Sequence, residues 1–225
     1  MIAPPKTYDV VVVGSPPGGI LAAIAAARDG CRVLLLERGT HIGGLPANGL
    51  GATDIATRGV AAGLFKEFVE RIRGHYLTHY GPASQQLKDC ADGFHFEPSV
   101  AEQVFEGFVT EQPTITVLRE RQFDAAPGNV VLEQGRLTQI TVTHRPTGAR
   151  ETYAAQVFID GTYEGDLCAA AGVAFRVDRE AGSEFGEPLA GKVYCRWQGP
   201  VGEGSTFAAD GALQAFNYRM CLTDE

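Results

Sequence analysis

The decade Val11–Ile20, VVVGSPPGGI, decides how this chain is read. An apolar run precedes it and a helix-forming run follows. The spacing of Gly14 and Gly19 matches the first and third glycines of a phosphate-binding G-x-G-x-x-G loop. Pro16 stands where the middle glycine belongs. It carries a ring where a hydrogen is expected and offers no N–H. Pro17 is better placed, because proline suits the first helical turn, where its N–H would be unpaired. Taken alone, the decade fits two readings: a Gly/Pro turn, or a loop holding a phosphate on the amides of Ser15, Gly18 and Gly19 at the positive end of a helix.

The flanks extend the pattern. Tyr8–Val13 is a β-branched run suited to a buried parallel strand, and Gly18–Asp29 reads as a helix of small residues packed on both sides, stopped by Gly30. Arg32–Glu37 is a second buried strand ending in a carboxylate. Strand, helix and strand make a right-handed βαβ unit. Glu37 lies eighteen residues beyond Gly19, where a carboxylate accepts the hydroxyl protons of an adenosine ribose and repels a 2′-phosphate. This favours the phosphate loop and disfavours NADP.

Further along, the sequence predicts a polar amphipathic helix over 60–73 and an irregular excursion over HYLTHYGPASQQLKDCADG (75–93). A helix follows in FEPSVAEQVFEGFVTEQ, with Ser99 as N-cap and Glu102 closing a capping box, then a third strand, TITVLRE. An antiparallel meander begins near Asn129, and the chain returns to the main sheet at Gln156–Ile159. Asp166 reads as the N-cap of a short helix, Leu167–Ala171, closed by Gly172.

Composition narrows the function. The 225 residues are 44% hydrophobic and 20% charged, ordinary for a globular protein, and the net charge of −8 argues against nucleic acid or an anionic membrane as partner. The N-terminus lacks the pattern of a signal peptide, and no apolar run approaches a membrane span. Five cysteines (31, 90, 168, 195 and 221) form no C-x-x-C pair and read as reduced thiols of a cytoplasmic protein. No metal site is expected: His75 and His79 would share a helix face, which reads as solvated. Arg219 reads as a structural ion pair or as facing a substrate anion. No catalytic acid or base stands out. Loop and carboxylate together leave FAD and NAD open, since both contain ADP. The glycines of HIGGLPANGLG (41–51) and the long insertion before the third strand lean towards FAD.

At this point YDVVVVGSPPGG, VLLLERGTHIGG, NGLGATD, FEPSVAEQVF and FIDGTYEGDLCAAAGV resemble the FAD-dependent oxidoreductases of the glutathione-reductase-like superfamily. More narrowly they resemble the group with a G-G-T-P-A-G loop and an I-D-A-T-Y-E-G-D-L segment. The resemblance extends through REAGSEFGE and QAFNYRMCLT. In that group the second glycine is often replaced already, so Pro16 extends a tolerated departure.

The resemblance implies an α/β, Rossmann-like FAD-binding fold with a parallel central sheet and an antiparallel β-meander. Residues 1–176 would be the FAD-binding domain, with a helical insertion at about 55–113 and the meander at about 129–155. Residues 177–225 would begin a second, substrate domain, left incomplete by a truncated or split chain that awaits a C-terminal half or partner. Gly14, Gly19 and Glu37 would bind the ADP part of FAD. Arg38, Gly43 and Gly44 would border the pyrophosphate and ribityl region, Asn48 and Gly49 would approach the flavin, and Asp160, Gly161 and Thr162 would return the chain to the cofactor. Ser15, Pro17 and Gly18 complete the loop. The implied activity is two-electron transfer through bound flavin to a small-molecule substrate. An NAD-dependent dehydrogenase and a non-catalytic FAD-binding fragment are the alternatives.

Overall fold

A computed structural model describes residues 5–196 and 199–214; Arg219 and the rest of the QAFNYRMCLT stretch lie outside them. The chain divides into two compact units. The first runs from the N-terminus to Val173, and the second begins at Ala174.

The first unit is built on one seven-stranded sheet. Its parallel part sets β1 (Lys6–Val13) between β2 (Val33–Leu36) and β7 (Ala149–Asp160), with β3 (Ile115–Leu118) outside β2. The antiparallel part hangs from the far side of β7: β6 (Arg136–His144) pairs with it, and β4 (Arg121–Gln122) and β5 (Val130–Glu133) pair with β6. The meander and the return to the main sheet are thus one strand. Residues 149–154 of β7 pair with β6, and the strand then continues along β1 as far as Asp160.

Alternation along the strands makes two cores, because successive side chains point to opposite faces. Val10, Val12, Val33 and Leu35 face a helical layer: α1 (Pro17–Arg28), α2 (Gly63–Tyr80) and α4 (Pro98–Thr110). Val11, Val13, Leu34 and Leu36 face the meander side, packing with Phe123, Ile140, Val142 and Tyr153. The two central strands, β1 from Val10 onward and β2, are covered on both faces, which is why they read as continuous apolar runs.

Three local expectations are corrected. Helix α1 is packed on two sides by Ile20, Ala23, Ile24 and Ala27, but Gly18 and Ala25 are exposed, so it is not enclosed all round. Its end is as expected: Gly30, at φ +87°, donates to Ala27 O while Cys31 donates to Ala26 O, a Schellman closure. Helix α2 does not stop at Arg73. It runs through the HYLTHY segment to Tyr80, because Tyr76 prolongs the buried row of Phe68, Val69 and Ile72. The rest of the excursion holds a further short helix, α3 (Gln85–Asp89), capped by Ser84. Helix α4 starts two residues earlier than its capping box allows. Glu97 is the N-cap and Pro98 occupies the first turn, so Ser99 lies inside the helix, and Glu102 turns instead to His41 at 2.8 Å.

Among its described residues the second unit contains one short helix, α6 (Gly182–Phe185), and a fork-like ion pair between Arg179 and Asp210. Several of its large apolar side chains, among them Phe175, Phe185 and Leu189, are exposed.

Candidate functional site

A cleft of about 580 Å³ opens beyond the C-terminal ends of the parallel strands, where open α/β sheets bind ligands. Three backbone hydrogen bonds fix the strand exits that form it. Gly14 donates to Leu36 O at 2.9 Å, Glu37 to Leu118 O at 2.9 Å, and Gly161 to Val13 O at 2.8 Å. The second glycine loop is tied to the first by the Gly43 N–H, which donates to Ser15 O at 2.9 Å.

Gly14, Gly19 and Gly161 press backbone against backbone. A methyl group on Gly19 would stand 2.2 Å from Gly14 O, and one on Gly161 would stand 2.9 Å from Gly14 O and 3.0 Å from Gly19 Cα. This close packing of helix on strands places the start of α1 at the cleft. The helical ladder begins with Ile20 N–H to Pro16 O, so the amides of Ser15, Gly18 and Gly19 take no protein acceptor among the described residues.

Of the residues singled out by sequence, Gly14, Ser15, Glu37, Arg38, Gly44, Asn48 and Thr162 line the cleft together. Pro17, Gly18, Gly19, Gly43, Gly49, Asp160 and Gly161 do not. Gly19 and Gly161 lie beneath the lining in the packing just described, Gly43 backs onto Phe105, and Gly18 faces open space. Glu37 turns into the cleft, where its carboxylate accepts the Ser15 hydroxyl and the Gly39 N–H. Asn48 donates to Gly44 O at 2.7 Å, which ties the π-turn Pro46–Leu50 to the glycine pair.

Asp160 is engaged by hydrogen bonds within the protein. Its two oxygens accept the N–H and hydroxyl of Thr162 and, at 2.9 Å, the N–H of Cys168. Cys168 lies in the first turn of α5 (Asp166–Ala170), so Asp160 caps that helix from a distance. Asp166, expected as the cap, is itself the first helical residue, and Gly165 holds the cap position. Partial burial pushes the Asp160 carboxyl up, but the hydrogen bonds from Cys168 and Thr162 outweigh it and hold the group below the usual range. For Asp166 the balance is opposite: partial burial raises it, and Glu164 and Asp160 add to this, while Arg38 opposes.

Two contributors escaped the sequence reading. The segment Arg121–Ala125 forms one wall, held where the Arg121 guanidinium forks onto Glu151 at 3.0 Å. Tyr163 forms another. Its hydroxyl accepts the Leu45 N–H at 2.7 Å and closes over Gly44. Their signals were a two-residue strand and an aromatic inside a recognised motif, neither of which indicates a side-chain direction. The lining also carries Glu37, Asp124, Glu164 and Asp166, and its Arg121 and His41 are paired with Glu151 and Glu102, so an anion held here leans on backbone donors and Arg38.

No helix among the described residues is long and apolar enough to cross a membrane. Comparison with known proteins agrees with the architecture. Residues 9–225 match the family model described as FAD dependent oxidoreductase. The chain is 51% identical over 84 residues to a soluble pyridine nucleotide transhydrogenase of Mycobacterium bovis BCG, covering 37% of this chain and 16% of that protein. It is 29% identical over 178 residues to digeranylgeranylglycerophospholipid reductase 2 of Methanopyrus kandleri, covering 78% of this chain and 40% of that protein. The chain thus spans well under half the length of these relatives. Among solved structures, a myxobacterial chondrochloren halogenase, an FAD-dependent enzyme, aligns with TM-score 0.50 and 17% identity over 70% of this chain and 38% of its own. The flavin-dependent brominase Bmp2 aligns with TM-score 0.50 and 15% identity over 78% of this chain and 43% of its own. These two likenesses are of fold: a Rossmann-like FAD-binding architecture. FAD, not NAD, is the cofactor that the family match supports. The chain belongs to the FAD dependent oxidoreductase family.

Proposed function

We propose that the cleft holds the ADP portion of FAD and that the whole protein oxidises or reduces a small-molecule substrate through that cofactor. The observation that carries this reading is Glu37. It stands at the end of β2, faces the cleft, and retains acceptor capacity beyond the two donors it already serves. A carboxylate so placed suits the two hydroxyls of a ribose. The residues present fit the group: the amides of Ser15, Gly18 and Gly19 suit the diphosphate, and Gly14, Gly19 and Gly161 pack too closely to admit side chains.

In this reading Gly14, Ser15, Pro17, Gly18 and Gly19 form the diphosphate loop, and Glu37 and Arg38 flank the ribose. Gly43, Gly44, Asn48 and Gly49 shape the path towards the flavin, and Asp160, Gly161 and Thr162 support the loop from β7. The redox chemistry, a two-electron transfer, is that of the flavin when bound. This chain's residues bind, orient and exclude water. Residues 1–176 act as the FAD-binding domain and residues 177–225 begin the substrate domain, in a cytoplasmic protein.

The test is to purify the protein, release its cofactor by heat and identify it by mass. FAD is expected. A protein that releases no flavin and takes none up on reconstitution refutes the proposal. The exposed Phe175, Phe185 and Leu189 favour a second reading, a cofactor-binding piece that works only with a partner chain. Size-exclusion chromatography with and without FAD distinguishes the two: a stable monomer in both runs opposes the second reading.

A further inference from the structure

The two glycine loops converge on one point of the cleft. A side-chain carbon on Gly44 would stand 2.3 Å from Tyr163 Oη and 2.8 Å from Pro16 Cα. The Tyr163 hydroxyl therefore sits beside the position where the diphosphate loop departs from its glycine pattern. That position lacks a donor, because proline has no N–H.

A tyrosine hydroxyl both accepts and donates. The Tyr163 oxygen accepts the Leu45 N–H at 2.7 Å, which uses a lone pair and fixes the oxygen in place. Its own proton finds no acceptor among the described residues. The residue lines the cleft, and its backbone follows Thr162, which is held at N–H and hydroxyl by Asp160. Partial desolvation of this largely exposed side chain raises the phenol above its ordinary value against the pull of the Leu45 N–H, and the charges of Glu37 and Glu164 add to the rise, so the proton stays on at neutral pH. The carboxylates around the cleft make a neutral donor the suitable partner for an anion: it contributes a hydrogen bond without a cation for those carboxylates to capture.

We infer that Tyr163 gives the diphosphate of a bound dinucleotide the hydrogen-bond donor that Pro16 withholds. The inference rests on the proposed function, since it takes the cleft to be the FAD site. Proline at the second-glycine position and tyrosine after Thr162 are then two halves of one arrangement. The loop gives up an amide, and the hydroxyl from the facing loop replaces it.

Calorimetric titration of the purified chain with FAD, ADP and adenosine tests this. Tyr163→Phe keeps the ring and removes the donor. It should weaken FAD and ADP about tenfold, as for a hydrogen bond to a charged group, and leave adenosine, which has no phosphate, unchanged. Adding Pro16→Gly to Tyr163→Phe restores an amide and should recover much of the loss. Unchanged FAD binding in Tyr163→Phe, or an equal loss for adenosine, overturns the inference while the proposed function stands. A native chain that binds neither FAD nor ADP overturns both.

Discussion

Two adjacent glycines should respond to alanine in opposite ways. At Gly19 the new methyl carbon would lie 2.2 Å from the carbonyl oxygen of Gly14. Relief to the shortest tolerable contact, about 3.0 Å, requires helix and strand to separate by about 0.8 Å. Neither side yields easily. Gly14 is bonded to Leu36 and backed by Gly161, and α1 is anchored by the buried Ile20, Ala23, Ile24 and Ala27. Overpacking of this kind costs about 1–3 kcal/mol, and a clash of backbone with backbone belongs in the upper half of that range. For a chain of this size each kcal/mol lowers Tm by about 2–4 °C, so Gly19→Ala should unfold about 4–12 °C below the native chain. The displaced helix also carries its free amides away from the diphosphate, and FAD affinity should fall at least about tenfold, or 1.4 kcal/mol. At Gly18 nothing lies within 4 Å of the new carbon. Gly18→Ala should be neutral or stabilising by up to about 1 kcal/mol, from the better helix propensity of alanine. Thermal unfolding by circular dichroism, followed by FAD titration, measures both variants. The close-approach argument is wrong if Gly19→Ala melts with the native chain, or if Gly18→Ala is equally damaged.

Two further outcomes follow from the site. Glu37→Ala should weaken FAD by about 1–3 kcal/mol through the loss of charged hydrogen bonds, measured by flavin fluorescence titration, and native affinity in this variant would remove Glu37 from the ribose. Asp160→Ala should destabilise the fold by about 0.5–2 kcal/mol, as for a lost helix cap. Because the native carboxyl is held below its ordinary value, its contribution is present above about pH 4 and is lost as pH falls through the lower folded value. The gap between native and variant in denaturant titrations should therefore narrow below pH 4, and a gap independent of pH would rule out the ionised cap.

The central βαβ unit was legible because it depends on short-range rules. A β-branched run, a glycine-punctuated turn, a helix of small residues, a left-handed stop at Gly30 and a strand ending in Glu37 each follow from local chemistry. The meander was legible for the same reason, since its turns are local. The errors fell where a local rule competed with packing. Ser99 looked like a cap until Pro98 claimed the first turn, and Asp166 looked like a cap although Asp160, six residues earlier, reaches the same helix. Helix α2 ran past Arg73 because Tyr76 is buried beside Ile72 and hydrogen-bonded to Glu97 on another element.

The sequence by itself determined the parallel core, the position of the glycine loop and the acidic residue that follows β2, because periodicity and backbone chemistry act over a few residues. Only the tertiary structure decided which of those residues share a cleft. Gly19 and Gly161 serve close packing beneath it, Asp160 holds a helix, and Tyr163 and Arg121–Ala125 supply walls that no spacing rule indicated. The reason is physical. Pattern sets the face on which a side chain in a regular element stands, but a loop residue takes its direction from whatever it meets, and Tyr163 meets Leu45, 118 residues away in the chain.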